Sequence, residues 1–160
     1  MISKVTYPLL SEIQEDTARL KKAYREIIQV VFFISAPLML ILSVIAEPLI
    51  IWVLGEKWEQ ASRFFSILCF AGILYPVHAF NLNLLKVYGR SDWFLKLEII
   101  KKINILIVVI LMFPFGIYGL VWSSVISSVM ALFINTYYTN KLIKYSLIDQ
   151  LKDISKSIGV

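Results

Sequence analysis

Three stretches of this chain contain no Asp, Glu, Lys or Arg: Ile27 to Ala46, Phe64 to Leu85, and Ile103 to Asn140. They run to 20, 22 and 38 residues, and a helix needs roughly 20 apolar residues to cross a hydrocarbon core of about 30 Å. The first two are therefore single spans, and the third is long enough to hold most of two. Only 17% of the 160 residues are charged, against about 25% in a soluble domain, which is too little polar surface to face water. The expected fold class is all-α, a polytopic membrane helical bundle of about four transmembrane helices, because helices satisfy their own backbone in lipid.

The expected organisation is an amphipathic linker helix over 1–26, a four-helix transmembrane region over 27–140 with spans near 27–54, 64–86, 94–114 and 117–140, and an amphipathic tail over 141–160. Ser11-Glu12-Ile13-Gln14 has capping-box spacing, and Ile13, Leu20, Tyr24 and Ile27 make one apolar stripe facing Glu15, Asp16, Arg19, Lys21, Lys22 and Arg25. That pattern predicts a helix on the membrane surface running into the first span. A polybasic lipid-recognition arm is the alternative, diluted by Glu12, Glu15, Asp16 and Glu26. Pro37 predicts a kink in the first span. Glu47 falls near its far end, as an interfacial carboxylate or a proton relay.

The loop Gly55 to Gln60 is short, with Trp58 suited to an interface. Uncharged sequence from Ile103 to the Phe113-Pro114-Phe115-Gly116 break is too short to span, so the third helix starts near Trp93. This draws Lys96, Glu98, Lys101 and Lys102 into its first turns. The fourth helix carries Gly119, Ser123, Ser124, Ser127 and Ser128, small residues that let helices approach closely in lipid, and is expected to be a packed interior helix. In the tail, Leu147, Leu151, Ile154 and Ile158 again follow helical spacing.

The net charge is +5. With four spans both ends lie on one side, and fourteen of the sixteen basic residues fall there or in the 86–102 loop, leaving Lys57 and Arg63 opposite. Lys and Arg accumulate in cytoplasmic loops, which puts both termini in the cytoplasm. Cations distributed between spans do not make a nucleic-acid surface, so no nucleic acid is expected as a partner. Cys69 has no second cysteine to pair with and reads as a small buried apolar side chain.

Chemistry is sparse. His78 has no nearby Asp, no span contains Asp, and no phosphate loop, HExxH or CxxC occurs, so neither catalysis, metal nor cofactor is expected. A transporter needs less: a polar cavity between helices with cations where an anionic headgroup sits. The candidate substrate-binding residues are His78, Asn81, Lys86, Lys101 and Lys102. Each has a plainer reading. Glu98 and Lys102 have the spacing of an i,i+4 ion pair, lysine stems near a helix end snorkel to headgroups, and His78, Asn81 and Asn83 suit interhelical hydrogen bonds.

Gly55-Glu56-Lys57-Trp58 after one apolar helix, Tyr88-Gly89-Arg90-Ser91-Asp92 after the next, Tyr7-Pro8-Leu9-Leu10-Ser11 ahead of the first, and Gly116-Ile117-Tyr118-Gly119 at the last turn resemble a known family. It is that of the bacterial polysaccharide and O-antigen flippases of the multidrug/oligosaccharidyl-lipid/polysaccharide exporter superfamily. The resemblance implies part of a MATE-like lobe that translocates undecaprenyl-pyrophosphate-linked oligosaccharide by alternating access. Its implied partners are membrane lipid, the lipid-linked oligosaccharide and a missing N-terminal part of the transporter. A small non-transporting scaffold subunit of an envelope-glycan assembly, docking through the Gly/Ser face of 117–139, is the alternative.

Overall fold

The computed structural model describes residues 12, 15–150 and 152, and every regular element among them is helical. The Tyr7 to Ser11 motif, the capping box at Ser11 and the tail positions Leu151, Ile154 and Ile158 lie outside the described residues. Helix α1, Thr17–Val44, starts at Asp16, whose carboxylate accepts from the Ala18 and Arg19 amides and so satisfies two of the free N–H groups of a helix start. It contains Pro37 and stops at Ile45. Pro48 has no N–H to offer the Val44 carbonyl, so the helix breaks there and resumes as α2, Ala46–Leu54. Gly55 ends α2 at φ +91°, a conformation that side chains other than glycine's resist.

After a 3₁₀ turn at Glu56–Trp58 come α3, Glu59–Val87, with Pro76 inside it, and α4, Ser91–Met112. A second 3₁₀ turn, Phe113–Phe115, and Gly116 at φ +67° reverse the chain into α5, Gly116–Ile143. The reversal is tight: a Cβ on Gly119 would run into the Met112 carbonyl and the Phe115 side chain, so the turn requires glycine there. Three stretches are long and apolar enough to cross a membrane, Thr17–Val44, Glu56–Val87 and Ser91–Ile143. The third is the hairpin α4–α5, folded back on itself.

Side-chain pairs set the register of the bundle. Phe64 stacks edge-on against Tyr118 at 5.1 Å between centroids, and His78 meets Asn135 at 3.0 Å, so α3 and α5 run parallel. Tyr24 meets Asn81 while Ser43 meets Ser66, which makes α1 antiparallel to α3. Trp93 stacks on Tyr138 at 5.8 Å, which makes α4 antiparallel to α5. The Ser43 and Ser66 hydroxyls each donate to the other's backbone carbonyl, at 3.2 and 2.9 Å, a reciprocal polar clasp of the kind that joins helices where lipid supplies no partner.

The core sits at one end. Leu20, Tyr24 and Ile28 of α1 are fully buried against Phe80, Leu84 and Val87 of α3, Ile143 at the end of α5 and Tyr145 just beyond it. The stripe through Leu20 and Tyr24 faces protein, with Ile28 buried in the same cluster and Ile27 packed against it. Along α5 the buried positions are Gly119, Ser123, Ser127, Asn135, Thr136, Thr139 and Ile143, and all but Thr136 fall at steps of four or eight residues. That small and polar stripe packs within the chain. Large apolar side chains such as Ile103, Leu106, Ile110 and Phe133 point outward, the arrangement of a protein whose solvent is lipid.

Candidate functional site

Between α3, α4 and α5 lies a cavity of about 810 Å³. Its α3 wall is built at helical spacing from Gly72, Tyr75, His78, Ala79, Asn83 and Lys86. Pro76 cannot offer an N–H to the Gly72 carbonyl one turn earlier, so one helical hydrogen bond is missing in this stretch of α3. From α4 come Glu98, Lys101 and Lys102, and from α5 Ser123, Ser124, Ser127 and Ser128. Four of the five candidate residues thus come together: His78, Lys86, Lys101 and Lys102.

Asn81 does not join them. It is 1% exposed on the other side of α3, and its Oδ1 accepts from the Tyr24 hydroxyl at 2.6 Å and from the Thr139 hydroxyl at 2.5 Å. It staples α1, α3 and α5 at the buried end. The candidate list missed Asn83, which is 6% exposed, lines the cavity and leaves its Nδ2 without a partner. Ser127 is alike, 6% exposed with an unpartnered hydroxyl. Both residues border the cavity, and their unpartnered polar atoms are buried just behind its surface. The available signal was the two-residue offset between the asparagines, which on a helix separates them by about 200° of arc.

His78 belongs to the wall's structure as well as to its lining. Asn135 Nδ2 donates to His78 Nδ1 at 3.0 Å, which leaves Nε2 to carry the proton and donate to the Ser128 hydroxyl, also at 3.0 Å. The Ser128 hydroxyl lies 3.5 Å from the Ala71 carbonyl. The interhelical hydrogen bond expected of His78 is present, and the ring still faces the cavity.

The lysines depart from their expected pairing. Glu98 is bound to Lys101, not to Lys102, with Oε1 2.6 Å from Nζ across an i,i+3 step. From Trp93, stacked at the end of the hairpin, Lys101 lies eight residues along α4, or about 12 Å. Both Lys101 and Lys102 are therefore well inside the helix rather than at its mouth. Lys86 sits nearer the end of α3, with its ammonium 5.1 Å from the centre of the Phe94 ring. Around that end Arg90 covers the Trp93 ring at 4.2 Å and Lys141 the Tyr137 ring at 4.6 Å, so cations and aromatic faces collect on one side of the bundle.

Fold and cavity together define an all-helical membrane protein with an amphiphilic, positively charged cleft among its helices. Residues 1–63 match the family described as polysaccharide biosynthesis protein. A curated relative from Klebsiella pneumoniae, an uncharacterized membrane protein in the cps region, is 26% identical over 145 residues, covering 91% of this chain and 28% of its own. The lipopolysaccharide biosynthesis protein WzxC of Escherichia coli K12 is 31% identical over 101 residues, 63% of this chain and 20% of WzxC. The teichuronic acid biosynthesis protein TuaB of Bacillus subtilis is 24% identical over 92 residues, 58% of this chain and 19% of TuaB. The chain spans less than a third of the length of these relatives, and no solved structure matches it. It is similar to proteins described as acting in polysaccharide, lipopolysaccharide and teichuronic acid biosynthesis.

Proposed function

We propose that this chain forms one wall of a polysaccharide flippase. In this reading it carries a lipid-linked oligosaccharide, of the undecaprenyl-pyrophosphate type, across the bacterial inner membrane when completed by the rest of a full-length transporter. The carrying observation is the cavity. Three lysines, Lys86, Lys101 and Lys102, together with His78 and the α5 serines, line an 810 Å³ space within membrane-spanning helices. Unpaired cations inside a bilayer are expensive, and a pathway for an anionic group accounts for them. Apolar Ile105 and Val109 on the same lining suit the hydrocarbon part of such a ligand, while the serines suit sugar hydroxyls. The cavity's groups support binding and passage rather than bond making.

Both termini and the 86–102 segment face the cytoplasm in this reading, which rests on the cation asymmetry. With Cys69→Ser as background, a membrane-impermeant maleimide applied to intact cells is expected to label Trp58→Cys and to reach Arg90→Cys only after lysis. Equal labelling of the two overturns the threading. Export by the complete transporter carrying Lys86→Met and Lys102→Met is expected to fall by about tenfold or more at unchanged protein level, the loss of two charge-assisted contacts. Undiminished export would assign those lysines to snorkelling and remove the cavity from the pathway.

A further inference from the structure

Among the residues that line the cavity Glu98 is the only carboxylate, and it faces three lysines. It is committed to one of them: Lys101, whose side chain is 15% exposed, holds Glu98 Oε1 at 2.6 Å. Among the described residues no carboxylate lies within ion-pair reach of Lys86 or Lys102. The three lysines are therefore not equivalent. Two are open to an incoming anion, and the third, inside the helix and paired within its own turn, already has one. His78 also faces the space, with both ring nitrogens engaged by Asn135 and Ser128.

Lys102 is exposed, whereas the Lys101 side chain is only 15% exposed; an unpaired ammonium so enclosed would be costly while the cavity is empty, and Glu98 removes that cost without any contact from another helix. Because the pair spans one helical turn, rotation of two side chains is enough to part it, with no shift of the backbone. We propose that Glu98 is an internal counter-ion: it occupies Lys101 in the empty cavity, and a phosphate or pyrophosphate group must displace it to take that lysine. Lys86 and Lys102 make the first contacts, and Glu98 limits how tightly the anion is then held. Passage through a membrane site requires binding weak enough to be reversed, and a carboxylate that reclaims its lysine supplies the release. This rests on the cavity being the anion's path, as set out above. It makes Glu98 a determinant of affinity and turnover.

The test is calorimetric binding of farnesyl diphosphate and of inorganic pyrophosphate to the purified chain in zwitterionic phosphatidylcholine nanodiscs. Glu98→Gln is expected to tighten binding about tenfold, the worth of one charged hydrogen bond no longer contested. Lys101→Met alone should change affinity by less than about threefold, since that lysine is already neutralised, yet it should abolish the gain when added to Glu98→Gln. Glu98→Asp, which keeps the charge, should stay near the unaltered chain, and Glu98→Ala is a second charge removal expected to act in the direction of Glu98→Gln. A gain for both probes places the contest at the phosphates themselves, and a gain for farnesyl diphosphate alone places it at a lipid-anchored anion; either supports the counter-ion. Equal or weaker binding by Glu98→Gln and Glu98→Ala, with unchanged helix content and melting, overturns it while leaving the anion site standing. If the unaltered chain binds neither probe, the cavity reading fails first and the counter-ion falls with it.

Discussion

Helix α3 carries two asparagines, two residues apart, and uses them in opposite ways. Asn81 looks toward α1 and the end of α5, where its carbonyl accepts two buried hydroxyls and closes the bundle. Asn83 looks into the cavity with an unpartnered amide. Both amide nitrogens are buried without a partner, so what distinguishes the two is the Asn81 carbonyl, which ties three helices together. The same residue type on the same helix is a staple on one face and a cavity-lining residue on the other, and what separates the roles is which neighbour the helix turns each face toward.

The sharpest way to break this contrast is to remove both side chains in turn. Asn81→Ala strands the Tyr24 hydroxyl inside the protein, while Thr139 keeps the Asn135 carbonyl at 3.2 Å, and should lower stability by about 2 kcal/mol, from two lost bonds and one unsatisfied group. Asn83→Ala removes a side chain that makes no internal bond and should change stability by less than about 0.5 kcal/mol, while weakening farnesyl diphosphate binding. Reversible unfolding in detergent with a paired binding measurement reads both, and similar stability losses at the two sites would erase the distinction.

A smaller effect sharpens the closed end. Ser146 and Asp149 form a reciprocal cap there: the carboxylate accepts from the Ser146 amide at 3.1 Å and hydroxyl at 2.8 Å, and the Asp149 amide donates back to the hydroxyl at 3.2 Å. The Ser146 hydroxyl and amide, aided by Lys21 and Lys152, hold the Asp149 carboxyl below its ordinary range. A depressed folded-state value means the stabilisation is present above the unfolded pKa, ordinarily about 3.9, and is lost as pH falls through the lower folded one. Amide exchange at Asp149 should therefore quicken only at pH below about 4, and Asp149→Asn should flatten that dependence. A profile unaltered by the substitution would dismiss the cap. The Ser-x-x-Asp spacing is visible in the sequence, but only the fold shows that the two side chains close on each other.

Helix lengths and breaks were legible before any coordinates, since their causes are local. Uncharged length against bilayer thickness, Pro48, Pro114 and the glycines at 55, 89 and 116 act within a few residues of themselves. The crossing points were not. Nothing in the spacing of Glu98, Lys101 and Lys102 chooses between an i,i+3 and an i,i+4 partner, because both neighbours lie on one helical face. The stripe at Leu20 and Tyr24 fits headgroups as well as protein, and only the arrival of Phe80, Leu84 and Tyr145 from distant sequence decides it.

By itself, the sequence determined that this chain lives in lipid as a set of long helices with its cations gathered between them, because the cost of charge in hydrocarbon is paid residue by residue. Tertiary structure alone decided which side of each helix meets a neighbour, which meets lipid and which opens on the cavity. The reason is that lipid tails and a protein interior are equally apolar, so the water-facing signal that orients a soluble helix is missing here. The separation of Asn81 from Asn83, and of Lys101 from Lys102, follows from how the helices pack.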